Sequence, residues 1–169
     1  MVGTICYIFY WSVYCIWSSN CKYNKFIMTQ EDKDLLLRDL CARLLYGVKV
    51  DSVFINPDTK EHKSCGIEVF NATSLLMIRD GLGEFKPYLF PLSSMTEKQY
   101  NSLYESGILN NCSHSYEYVN PHIHGVSFIF KEFKTYSLEL IEWLNKNHFD
   151  YRGLISKGLA IDCTGLNIY

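Results

Sequence analysis

From Met28 onward the hydrophobic pattern alternates between helical and strand-like periods. Leu36, Leu37, Leu40, Cys41 and Leu44 recur at the i, i+3 and i+4 spacing that puts them on one face of a helix. Thr29-Gln30-Glu31-Asp32 ahead of them resembles a capping box, and its acidic residues suit the positive end of the helix dipole. Gly47 is a natural stop. The pattern predicts a first helix over about 30–45, with Cys41 in the core and with Asp34–Arg38 and Asp39–Arg43 as exposed i,i+4 pairs.

The next forty residues read as strands. Val48, Val50, Val53, Phe54 and Ile55 form one, and Asn56-Pro57-Asp58-Thr59 is a turn, because proline presets φ and Asn or Asp bonds its own backbone. Ile67 to Phe70, Leu75 to Ile78 and Phe85 to Phe90 form three more, the last two separated by Asp80-Gly81-Leu82-Gly83. A second helix starts at Thr96, where Thr96 and Gln99 make another capping box. Leu103 and Tyr104 face its core, and Gly107 ends it. Residues 108–125 are polar and irregular, and Val126 to Phe130 is a short strand. A third helix over Tyr136 to Asn147 buries Leu140, Ile141 and Leu144, and Asp150 caps a short helix reaching Lys157. The expected fold is α+β: an N-terminal helix, a four-stranded antiparallel meander or small SH3-like barrel, then two to three C-terminal helices.

Length changes this picture little, since 169 residues make one domain with a core of its own. Charge adds more. The chain carries a net charge of -2, and the two basic residues before Met28, Lys22 and Lys25, are matched there by no acid, so the remainder is more acidic still. That disfavours generic nucleic-acid binding, which needs a broad positive field. The 7 cysteines are irregularly spaced with no CxxC, the usage of reduced intracellular thiols.

Residues 1–27 stand apart. Residues 1–21 are uncharged, and Val2 to Ser18 is mostly apolar, but Tyr7, Tyr10, Trp11, Tyr14 and Trp17 fill places where a membrane span prefers aliphatics. A signal peptide would start with a basic residue and end in a small-residue cleavage site. The reading preferred here is a start-site artefact ahead of Met28, leaving 28–169 as a single α+β domain. The alternative is a single-span anchor, with Lys22 and Lys25 holding the C-terminal domain in the cytoplasm.

Three blocks carry a family resemblance. The first is Asp39-Leu40-Cys41-Ala42-Arg43-Leu44 with Tyr46-Gly47-Val48. The second is Lys86-Pro87-Tyr88-Leu89-Phe90-Pro91-Leu92-Ser93-Ser94-Met95-Thr96. The third is Trp143-Leu144-Asn145 with His148-Phe149-Asp150-Tyr151-Arg152-Gly153-Leu154-Ile155, running into Gly158-Leu159-Ala160. Over nearly all of 28–169 the chain resembles a family of short uncharacterised proteins from gut Bacteroidales and their phages. The resemblance transfers no activity. It implies a phage or mobile-element context, a start near the first helix, and a cytoplasmic protein acting on host or phage components.

The residues offer few sites. His148, Asp150, Tyr151 and Arg152 gather polar chemistry in one turn, where Arg152 would grip a carboxylate or phosphate. The structural alternative is that Asp150 caps a helix, Arg152 pairs locally and His148 satisfies the backbone. Lys86 and Tyr88 with their prolines suggest an extended recognition edge, against the alternative that Tyr88 is core. Cys112, His114, His122 and His124 invite a metal, but their spacing matches no common finger, and the expectation is no metal and no cofactor. GxSxG, P-loop, HExxH and dinucleotide motifs are missing. The expected function is a non-enzymatic interaction or regulatory module with a protein partner. The alternatives are a nucleic-acid accessory protein and a small enzyme using His148, Asp150 and Arg152.

Overall fold

The computed structural model describes residues 28–119 and 127–169; the expectations for residues 1–27, and for His122 and His124, lie outside them. The fold is α+β. Helix α1 spans Gln30–Arg43, and Thr29 caps it by accepting the Asp32 N–H. A 3-10 turn at Leu44–Tyr46 follows, closed by Gly47 in the left-handed region at φ 66°. Strand β1 (Lys49–Ile55) runs antiparallel to β2 (His62–Val69), with a bulge opposite Ser52 and Val53. On its other side β1 pairs antiparallel with β3 (Gly83–Pro91).

The strand expected over Leu75 to Ile78 is a helix, α2 (Ala72–Arg79). Asn71 and Ser74 close a reciprocal capping box that starts a helix before the apolar run begins. The four-stranded meander therefore becomes three antiparallel strands with a helix inserted before the third. Two short strands complete the sheet, both parallel to β3: β6 (Phe149–Asp150) and β7 (Ile161–Asp162). The ladder order β2-β1-β3-β6 is that of an open sheet and not of a closed barrel.

β3 changes partners along its length. Gly83 to Pro87 face β1, Tyr88 and Leu89 face β7, and Phe90 and Pro91 face β6. Pro87, which has no N–H to give, is the last residue in register with β1. Beyond it the ladder is bridged by a side chain: the Tyr169 hydroxyl accepts the Lys49 N–H at 3.0 Å and donates to the Tyr88 carbonyl at 2.8 Å.

Helix α3 (Glu97–Glu105) has the expected Thr96–Gln99 capping box. Residues 108–125, read as irregular, contain β4 (His114–Val119), which forms a separate antiparallel hairpin with β5 (Ser127–Phe133). Helix α4 (Leu138–Lys146) is capped by Ser137. The expected helix from Asp150 to Lys157 is a succession of turns.

Two hydrophobic clusters hold these parts. One joins α1, β1, β3 and the last turns through Leu36, Leu40, Val50, Phe85, Leu89 and Leu154. The other joins α3, β5, α4 and β6 through Met95, Leu103, Phe130, Phe133, Leu144 and Phe149. Leu89 belongs to the first and Phe90 packs on the second, because successive residues of β3 point to opposite faces.

The buried stripe of α1 differs from the expected one. Cys41 and Leu37 are exposed, while Asp39 and Arg43 are both fully buried. Arg43 Nε and Nη2 donate to the two Asp39 oxygens at 2.7 and 3.1 Å. Nη2 also reaches the Phe149 carbonyl at 2.8 Å, and Nη1 the Leu144 carbonyl at 3.5 Å. The pair expected at the surface thus lies at the seam between the two clusters. It is tolerated there because the guanidinium is hydrogen-bonded to a carboxylate and to carbonyls.

Candidate functional site

The segment after α4 shows what each of its polar residues does. The Asp150 carboxylate is nearly buried and accepts three backbone N–H groups: Arg152 at 3.3 Å, Leu154 at 2.9 Å and Ile155 at 2.7 Å. It organises the turn. Arg152 Nε lies 3.3 Å from Asp39 Oδ1 and donates to the Tyr151 hydroxyl at 3.1 Å. The Tyr151 ring in turn meets both guanidinium groups, Arg152 at 4.9 Å and Arg43 at 5.7 Å from its centroid.

His148 is stranger. It follows Asn147, the C-cap of α4, and adopts φ 58°, a place where glycine is the usual occupant. Its ring stacks on Tyr169 with centroids 4.0 Å apart and planes 13° from parallel. Nδ1 is buried and has no hydrogen-bond partner, and the same holds for Asn145 Oδ1. Burial, with the nearby charges of Arg43 and Lys49, pushes the His148 pKa down to about 4, so the ring is neutral at ordinary pH. Burial likewise pushes the Tyr169 hydroxyl up to about 12 and the Cys163 thiol up to about 11, leaving both protonated.

His148, Asp150 and Arg152 are therefore committed to three different partners: a tyrosine ring, a set of amides and a buried carboxylate. Lys86 and Tyr88 part company: Lys86 is exposed, in register with Asp51 on the stretch of β3 that pairs with β1 alone, whereas Tyr88 is only 9% exposed, as the core alternative had it. The two sequence blocks do meet, since Phe90 and Pro91 pair with Phe149 and Asp150. Beside that junction lies a cleft of roughly 170 Å³ floored by Phe90 and Phe149 and rimmed by Ser94, Thr96, Gln99 and Thr164. Thr96 and Gln99 spend their polar atoms on the α3 capping box, and Ser94 donates to the Pro91 carbonyl.

The most distinctive surface is one that sequence reasoning missed. In the β4–β5 hairpin Tyr116 opposes Phe130 and Tyr118 opposes Phe128, so four aromatic rings share one face. That face packs on Tyr100 of α3, whose ring centroid lies 5.0 Å from Tyr116 and 5.2 Å from Phe128. Burial fades along it. Phe130 and Phe133 are core, whereas Tyr116 and Tyr118 are 45% and 49% exposed. Tyr104, one turn along α3 from Tyr100 and expected in the core, is 64% exposed. The Tyr118 O–H donates to Glu97 Oε1 at 3.0 Å, placing a carboxylate at the rim. The period-2 alternation of His114, Tyr116 and Tyr118 with Ser115 and Glu117 was the available signal.

His114 is held inside this layer. Its Nδ1 lies 3.1 Å from the Cys112 carbonyl, which can only accept, so Nδ1 carries the proton and Nε2 accepts from the Tyr100 O–H at 2.8 Å. Burial raises the Tyr100 pKa, which keeps that donor in place. Among the described residues no three His, Cys, Asp or Glu side chains are grouped to hold a metal ion. Nor, among them, is any helix long and apolar enough to cross a membrane. Comparison with protein-family models, with curated proteins and with solved structures finds no match to this chain.

Proposed function

We propose that the protein is a non-enzymatic interaction or regulatory module of a phage or mobile element, acting in the cytoplasm through the aromatic face of β4–β5 and α3. One observation carries this reading: Tyr104, Tyr116 and Tyr118 stay 64%, 45% and 49% exposed beside rings that are fully packed. Tyrosine loses little conformational freedom on contact and presents both an apolar face and a hydroxyl, which makes it a frequent anchor at protein interfaces. The separate commitments of His148, Asp150 and Arg152 weigh against the enzyme reading. The acidic balance of the chain weighs against the nucleic-acid one.

The test is capture from host lysate with the wild-type chain and with a Tyr116→Ser, Tyr118→Ser double variant as baits. The double variant should stay folded but melt at a lower temperature than wild type, because it loses the half-buried ring contacts with Tyr100 and Phe128. A stoichiometric partner retained by wild type and lost by the double variant is the expected outcome. A partner held equally by both baits moves the interaction to another surface, and recovery of nucleic acid alone refutes the reading.

A further inference from the structure

The same face has a chemical bias that narrows its partner. We infer that it receives a basic segment of a protein, with an Arg or Lys side chain laid on Tyr116 or Tyr118 beside the Glu97 carboxylate. This rests on the interaction reading above and specifies its partner class.

Aromatic rings carry negative charge on their faces, so an exposed tyrosine face attracts a cation as well as an apolar group. Tyr116 and Tyr118 stand almost perpendicular, at 85° with centroids 5.6 Å apart, so their faces point in different directions and both are half in solvent. Glu97 is fixed at the edge of Tyr118 by the hydroxyl hydrogen bond, so a carboxylate stands directly beside that ring. The described cation–ring contacts lie elsewhere, with Arg43 and Arg152 on Tyr151 and Lys49 on Tyr169. On the opposite face of the hairpin Lys131 is paired with Glu117 at 2.7 Å. Glu117 on the far face thus has a lysine partner, while Glu97 stands beside open tyrosine faces with a hydroxyl as its partner. The net negative charge of the whole chain adds attraction at longer range.

The experiment titrates the full chain with a ten-residue peptide of alternating Arg and Gly, and with the same peptide carrying Gln for Arg. Tyrosine ring resonances and calorimetry report binding. The Arg peptide should bind at least tenfold more tightly than the Gln peptide, and more weakly as salt is raised. Glu97→Gln and the Tyr116→Ser, Tyr118→Ser pair should each weaken it severalfold, while Glu117→Gln on the far face should leave it unchanged. Equal binding of both peptides overturns the proposal in favour of an apolar partner. Equal weakening by Glu97→Gln and Glu117→Gln reduces it to net charge alone. No binding of the Arg peptide by a chain that still captures its lysate partner through the tyrosines refutes this inference and leaves the interaction reading standing.

Discussion

Replacing Asp150 with alanine tests the account of the C-terminal turn most directly. Its carboxylate accepts from Leu154 and Ile155 at 2.9 and 2.7 Å and from Arg152 at 3.3 Å, and the residue is 8% exposed. An ordinary exposed N-cap is worth about 1 kcal/mol. Here two of the three bonds are short and the Leu154 amide is buried. Taking about 1.5 kcal/mol for each of the two short bonds gives roughly 3 kcal/mol for Asp150→Ala. In a chain of this size that lowers the melting temperature by roughly 6–12 °C. Asp150→Asn keeps one carbonyl oxygen in place and should lose about half as much. Urea denaturation of the three proteins, read from midpoints at constant slope, measures the difference. An alanine variant within about 1 kcal/mol of wild type would show that water serves those amides equally well, and the turn would then owe its shape to packing alone.

Removing one partner of the buried pair, as in Asp39→Ala, should cost roughly 3–5 kcal/mol; a double-mutant cycle with Arg43→Met should show strong coupling, and additive losses would refute a mutual dependence. His148 binds a proton below about pH 6.5 when unfolded but only below about 4 when folded, so its contribution is complete above 6.5 and drains away as the pH falls towards 4. The loss approaches about 3 kcal/mol, and His148→Asn, which tolerates the same backbone, should flatten that part of the stability–pH curve measured by denaturation. An unchanged curve in the variant assigns the acid sensitivity to other groups. Tyr169→Phe deletes the bridge between Lys49 and Tyr88 and should cost roughly 1–2 kcal/mol, with faster hydrogen exchange at the Lys49 amide; unaltered protection there would contradict the bridge.

Helix starts were the most legible part of the chain. Thr29, Thr96 and Ser137 each cap a helix within a few residues of the expected position, because capping is local chemistry between a side chain and the next turn. α2 escaped because Leu75 to Ile78 is a short apolar run, which periodicity alone cannot assign; the signal that decides it is the Asn71–Ser74 capping box ahead of the run. β4 escaped because its rings are tyrosine and histidine among polar residues, and such a run reads as loop until its alternation is counted. The Asp39–Arg43 pair was visible as a pair but not as a buried one. Its burial depends on the Leu144 and Phe149 carbonyls, more than a hundred residues away, and no local pattern reports a partner at that distance. Asp150 caps as its position suggests, though it caps a turn; Tyr88 is core, one of the two readings its sequence allows, and the His148 ring stacks on Tyr169 where the sequence suggests either a ligand contact or a backbone one.

The partner changes along β3 bear on how the chain acquires its shape during synthesis. The ribosome delivers β1, β2 and β3 early, but the strands that cover the second half of β3 belong to residues 149–150 and 161–162. Until those emerge, Tyr88 to Pro91 present an open strand edge, and the Arg43 side chain has no Phe149 carbonyl to meet. An edge of that kind is a template for another strand, from a neighbouring nascent chain or from a chaperone. The molecule therefore completes itself late, and its period of greatest exposure to misassembly is the interval between the translation of β3 and that of β7.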